Sequence, residues 1–192
     1  MSTSKALDGF RPSRIRGSGA NSTGNSEYRI ASGYNANIFT GDIVKNVAGY
    51  INVITTTTDI AVGVFQGCNY TVDGEPKFSK YWPSGTSASD IKALVVDGPS
   101  PTFIVQADAS CSVGDINSYN FDVTLGAGST VTGKSGFGVK AATRTTGSAM
   151  VRPIGVFEVP GNDIDVAAER AYPVLEVRLV QTQDAYVSTD LS

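Results

Sequence analysis

One stretch of this chain has the letters of a phosphate-binding loop. Gly128-Ser129-Thr130-Val131-Thr132-Gly133-Lys134-Ser135 fits G-x-x-x-x-G-K-[ST], in which backbone N–H groups cradle phosphates and the lysine reaches their far end. That chemistry needs a helix to begin at the lysine, because the free N–H groups of its first turn do the cradling. The next residues are Gly136-Phe137-Gly138-Val139 and then Thr143, Thr145, Thr146 and Gly147, which are poor helix material. The apolar run that ends in an acid, Leu94-Val95-Val96-Asp97, precedes the loop, where a nucleotide domain would put it later. The segment therefore reads as a mobile hairpin loop. Gly136 to Ala141 shares only letters with a dinucleotide fingerprint, since no βαβ context surrounds it. Asn162-Asp163-Ile164-Asp165 lacks a glycine-turned loop and a distal Glu, so it reads as a solvated turn instead of a calcium cage. The chain has no histidine, which removes Ser-His-Asp triads, Cys-His pairs and His-bearing zinc sites. The expectation is a protein that is not an enzyme, with no catalytic, cofactor or metal residues.

The elements that would position these groups are strands. Across 192 residues there are 21 Gly, 38 Ser plus Thr and only 17% charged residues, a mix poor in helix formers. Apolar residues recur at period two: Ile60, Val62 and Val64; Phe121, Val123 and Leu125; Leu175, Val177 and Leu179 alternating with Glu176 and Arg178. Asp73-Gly74 between Asn69–Val72 and Lys77–Tyr81 is the strongest hairpin signal, with Pro76 demanding an edge or bulge position. Strands are expected near 38–45, 50–54, 60–66, 68–72, 77–82, 93–96, 102–107, 120–125, 137–142, 152–159 and 174–181. Short helices are open only over Ser87–Ala93 and Val166–Ala171.

An internal echo links Gly41-Asp42-Ile43 with Gly63-Val64-Phe65, and Gly114-Asp115-Ile116 with Gly155-Val156-Phe157. Glycine permits a tight strand entry and Asp accepts local backbone hydrogen bonds there. The echo is either a duplication or a coincidence of a glycine-rich β protein. The fold class is all-β: an antiparallel barrel or sandwich with a candidate internal duplication and an extended N-terminal arm. The divisions are 1–30 as a flexible basic arm, 31–180 as the body and 181–192 as a tail.

The arm carries Lys5, Arg11, Arg14, Arg16 and Arg29 against Asp8 and Glu27, so it stands at +3 within a chain of net charge −3. An acidic body repels nucleic acid, and no specific nucleic-acid partner is expected. Poor in apolar groups, the arm cannot order by itself. It reads either as a solvated tail or, the reading favoured by Phe10 and Ile15 as anchors, as a segment that orders on a partner while Arg11, Arg14 and Arg16 meet acidic patches. Tyr70, Phe78, Tyr81 and Trp82 cluster in the hairpin. Core packing is their first reading; a partner interface through Tyr81 and Trp82, then a base- or sugar-stacking platform, are the others. Cys68 and Cys111 lie 43 residues apart outside any metal spacing and read as buried free thiols of a reducing compartment. Neither a secretory h-region nor an apolar run of membrane-spanning length is present, so no membrane partner is expected.

Several segments, Gly41-Asp42-Ile43-Val44, Ala61-Val62-Gly63-Val64-Phe65-Gln66-Gly67, Phe78-Ser79-Lys80-Tyr81-Trp82-Pro83, Ala93 to Pro99 and Pro153-Ile154-Gly155-Val156-Phe157, together resemble a family of small structural proteins of tailed, particularly marine, bacteriophages. The resemblance spans roughly residues 30 to 180, and its most specific part is the Phe-Ser-Lys-Tyr-Trp-Pro run. Such proteins are similar in size and β character to capsid decoration, or cement, proteins. The resemblance implies a virion structural protein on the capsid exterior, assembled in the host bacterial cytoplasm, that clamps neighbouring major capsid protein subunits and forms a homo-oligomer or self-contacts on the shell. The alternative is a tail or head-fibre adhesin that binds a host-surface glycan through the hairpin aromatics.

Overall fold

The structure is a computed structural model that describes residues 4–15, 24–166 and 171–183. Its elements are strands: β1 (Arg11–Ile15), β2 (Ser26–Tyr28), β3 (Ile38–Phe39), β4 (Ile43–Val47), β5 (Tyr50–Val53), β6 (Gly63–Val72), β7 (Glu75–Ser79), β8 (Tyr81–Trp82), β9 (Ser89–Asp97), β10 (Pro101–Gln106), β11 (Asn120–Thr124), β12 (Gly138–Thr145), β13 (Val151–Val156) and β14 (Val174–Leu179). A 3-10 turn over Val113–Asp115 is the one helical segment among the described residues, so none of their helices is long and apolar enough to cross a membrane.

The strands form an antiparallel β-sandwich. The first sheet runs β2-β9-β6-β4-β5, with β7 also paired to β6; the second runs β1-β10-β14-β13-β11-β12; β3 and β8 make a small third sheet. Apolar runs without alternation mark strands buried on both faces. In β4, β6 and β9 neighbouring residues go to opposite clusters: Ile43, Val64 and Val96 face the second sheet, while Val44, Phe65 and Val95 face Ile38 and Trp82. The first sheet is thus the middle layer. The second sheet alternates, with Phe103, Val105, Leu175, Val177 and Leu179 inward.

The structure corrects three expectations. The described part of residues 1–30 is not an arm separate from the body: β1 pairs β10 and β2 pairs β9. Their few apolar groups suffice because Phe10, fully buried, packs edge-to-face on Phe103 at 6.4 Å; full burial of such a side chain stabilises by about 1.5–3 kcal/mol. The body also extends past 180, since Ala61 N–H donates to Gln181 O (3.0 Å) and Gln183 N–H to Ala61 O (2.9 Å). Ser87–Ala93 is not a helix; from Ser89 it is strand, because β6 offers a ladder from Gly63 to Thr71 that outweighs the local preference. Most of the second helix candidate, Val166–Ala171, lies outside the described residues, as does the rest of the tail beyond Gln183.

The echo has a local structural counterpart. Asp42 accepts the N–H of Phe39 at 2.7 Å and Asp115 that of Ser112 at 2.8 Å, each three residues back, and both aspartates are buried. The settings then differ. Asp42 opens β4, whereas Asp115 closes the 3-10 turn.

Candidate interaction surface

The phosphate-loop pattern falls between β11 and β12 and does not lead into a helix. Gly133 N–H donates to Ser129 O (2.7 Å) and Ser129 N–H to Lys134 O (2.9 Å), which closes a tight turn. The loop is pinned to the body, since Thr40 N–H donates to Gly133 O and Ser135 N–H to Thr40 O. Gly128 lies flat on Phe39, where a Cβ would come within 2.2 Å of the ring. Lys134 Nζ is 3.4 Å from Asp8 Oδ2, so an acid occupies the lysine that a phosphate would need. Val131, at the tip, is 94% exposed.

The hairpin aromatics divide between two jobs. Trp82 is fully buried, meets Tyr70 edge-to-face at 5.2 Å and sits too deep to touch a partner, which corrects its place among the interface residues. Its burial follows from β8 pairing β3, which turns the indole into the cluster of Ile38 and Phe65. Tyr81 is half-buried and stacks on Phe39 at 5.4 Å. Phe78 stands out from edge strand β7 with 82% of its surface exposed. Sequence alternation alone could not separate Phe78 from Trp82, because the turn between β7 and β8 resets the facing.

The arm residues are largely spent within the chain. Phe10 is core, Ile15 is half-buried opposite Pro101, and Arg14 grips Glu176 with Nε and one terminal nitrogen, each at 2.7 Å. Arg11 is exposed on β1, and Arg16 lies outside the described residues. An arm that orders only on a partner is therefore corrected: the anchors find their pockets at home.

Neither comparison by sequence nor comparison by structure brings a relative: no family model, no curated protein and no solved structure matches this chain.

Titratable groups mark structural ties. Burial pushes Asp42 up to about 6, although the Ser135 hydroxyl and the Phe39 N–H favour its charged form. Asp42 borders an open cleft of about 560 Å³ between Asn37, Phe39 and the Gly126–Thr130 loop. Asp59 is taken down to about 2: against the cost of burial it gains Lys45 Nζ at 2.9 Å and the N–H groups of Thr55 and Thr56. Burial raises the thiols of Cys68 and Cys111 to about 12, and both are free. Asp115 Oδ1 faces Arg144 Nε at 2.9 Å, an ionic contact without hydrogen-bond alignment, and Arg144 lies over the Tyr119 ring at 3.8 Å.

Asn162 ties the chain together, donating to Phe157 O (2.6 Å) and Val174 O (2.9 Å) while accepting from Val174 N–H (2.8 Å); Asp163 and Asp165 are exposed, and Asp163 Oδ1 accepts the Asp165 N–H at 2.9 Å. No group of three potential metal ligands occurs among the described residues. What the arrangement offers chemically is a β body whose two most exposed large apolar side chains among the described residues, Phe78 and Val131, are carried on segments that the body holds by hydrogen bonds.

Proposed function

We propose that this protein is a virion structural protein that decorates a bacteriophage shell and reinforces it by bridging neighbouring major capsid protein subunits, with self-contacts between copies on the shell. The observation that carries the reading is Phe78. Within the Phe-Ser-Lys-Tyr-Trp-Pro run that resembles phage structural proteins, one aromatic is driven into the core and another is held 82% exposed on a paired strand. A large ring kept in water costs hydrophobic stabilisation and is what an interface anchor looks like before its partner arrives. Repeated modest contacts on a symmetric shell then add up to durable attachment. Purified protein mixed with expanded, undecorated shells should bind stoichiometrically. Phe78→Ala should lose that binding while keeping its melting temperature; no binding by the parent protein overturns the proposal.

The same ring favours a second reading, a tail or head-fibre adhesin that stacks Phe78 on a host-surface sugar. Glycan binding abolished by Phe78→Ala, with no uptake on shells, would decide for it.

A further inference from the structure

The first sheet parts between β2 and β9. Their ladder runs from Ser26–Val95 to Tyr28–Ala93 and stops there. Arg29 O accepts the Ile51 N–H at 2.8 Å, which draws the chain away from β9 and on to β5. β9 is itself bulged at this point: relative to β6 it carries one extra residue between Ser89 and Lys92, with Asp90 at a φ of +50°. The two segments meet again where Ala88 N–H donates to Ser32 Oγ at 3.0 Å. Between these points lies an open cleft of about 530 Å³, which Tyr50 of β5 also lines.

The cleft holds side chains that the fold leaves unused. Arg29 and Tyr50 are exposed, and neither side chain makes a hydrogen bond or ion pair among the described residues. The exposed Asp90 carboxylate has only the Ser89 hydroxyl, at 3.5 Å. Beside them Glu27 and Lys92 are paired with each other at 2.9 Å. The two cations of the cleft thus face two anions, and its charge favours neither sign of ion. What it offers a ligand is a fork of donors on Arg29, a pair of acceptors on Asp90 and the ring of Tyr50, 41% exposed.

We infer that this cleft binds a neutral saccharide, a hexopyranose unit whose C–H face lies on Tyr50 while neighbouring hydroxyls donate to Asp90 and accept from Arg29. Adjacent hydroxyls both donate and accept without carrying charge, which matches a guanidinium and a carboxylate lining one cleft. The volume of about 530 Å³ falls within the roughly 300–1,000 Å³ usual for small-ligand clefts. A phosphate would meet Asp90 and Glu27 as well as Arg29, and a purely apolar ligand would strip water from Arg29 and Asp90 without replacing it. Phe78 lines no part of the cleft, so the inference rests neither on shell binding nor on the hairpin ring.

The probes are the methyl pyranosides of glucose, galactose and mannose and their disaccharides, titrated into the full chain while tyrosine ring and arginine Nε–Hε signals are followed by NMR. At least one sugar moves the signals of Tyr50 and Arg29 together. Tyr50→Ala and Asp90→Asn each bind that sugar at least about tenfold more weakly. Both keep their thermal midpoints, because the two side chains are exposed and Asn shares the left-handed conformation of Asp90. Signals that stay put for every sugar at high millimolar concentration overturn the inference, as does equal affinity in either variant. Cyclohexanol, a ring with a single hydroxyl, binding as well as the sugar assigns the cleft to apolar ligands, and tighter binding of inorganic phosphate assigns it to anions; either result overturns the inference. Phe78→Ala keeps the affinity for sugar. A loss of affinity there moves the sugar to the hairpin, favours the adhesin reading and overturns this one.

Discussion

Arg14 holds the buried carboxylate of Glu176 through two nitrogen–oxygen contacts of 2.7 Å across 162 positions of sequence. The contact spans from the first strand to the last, so the leading residues belong to the folded unit. Phe10, four residues earlier, is fully buried against Phe103. Phe10→Ala should therefore destabilise the isolated protein by about 3–5 kcal/mol, the usual cost of emptying a core phenyl site. Arg14→Ala should also lower the midpoint, and less so in a Glu176→Gln background, where no charge is stranded. Denaturant unfolding followed by circular dichroism measures both, and an unchanged Phe10→Ala midpoint would restore the picture of a detached arm.

Asp42 gives the stability a definite pH slope. Its folded value of about 6 lies above that of an aspartate in an unfolded chain, about 4, so the folded state keeps a proton that the unfolded state has released between these limits. Stability from this group is complete below about pH 4, falls as pH rises through 6 and is level above it, a total of about 3 kcal/mol. Asp59 acts with the opposite sign and in a lower window: its contribution is present above about pH 4 and disappears towards pH 2. Unfolding free energy measured from pH 4 to 7.5 should decline in the parent chain and flatten in Asp42→Asn. A parallel decline in both proteins would show that another group sets the slope.

Two residues of one hairpin should behave in opposite ways. Trp82→Ala empties a fully buried site beside Tyr70 and should cost about 3–5 kcal/mol. Phe78→Ala removes a ring already in water and should stay within about 0.5 kcal/mol of the parent. Thermal melts of the two purified variants test this directly. Loss of stability in Phe78→Ala would mean that the ring packs on its own chain.

The strands are legible in the sequence wherever one face is buried: Leu175, Val177 and Leu179 alternate with Glu176 and Arg178 and point inward in β14. Pro76 and the Asp73-Gly74 turn likewise place β7 as an edge strand. The partner of each strand is not legible, because which strands are neighbours depends on long-range closure that leaves no local periodicity. That is why β1 has the sequence of a free arm, and why the grip of Arg14 on Glu176 is invisible before folding: each residue looks like an ordinary outward one until β1, β10 and β14 are known to be neighbours. Ser87–Ala93 misleads for a related reason, a weak local preference overridden by the β6 ladder.

The two thiols supply a probe of how the layers open. Cys68 faces the cluster of Trp82 and Val95, and Cys111 faces that of Phe137 and Leu175, so they report on different clusters of the same sandwich. Burial raises both to about 12, and at pH 8 only about one thiol in ten thousand would be a thiolate, the form that attacks a disulfide reagent. Both should stay silent towards an aromatic disulfide reagent in native buffer and react fully in denaturant. If the layers unfold as one unit, their slow native-state labelling rates should agree and should rise together in Phe10→Ala. Faster labelling of Cys68 alone would show that the layer built on Trp82 opens independently of the core shared by the two large sheets.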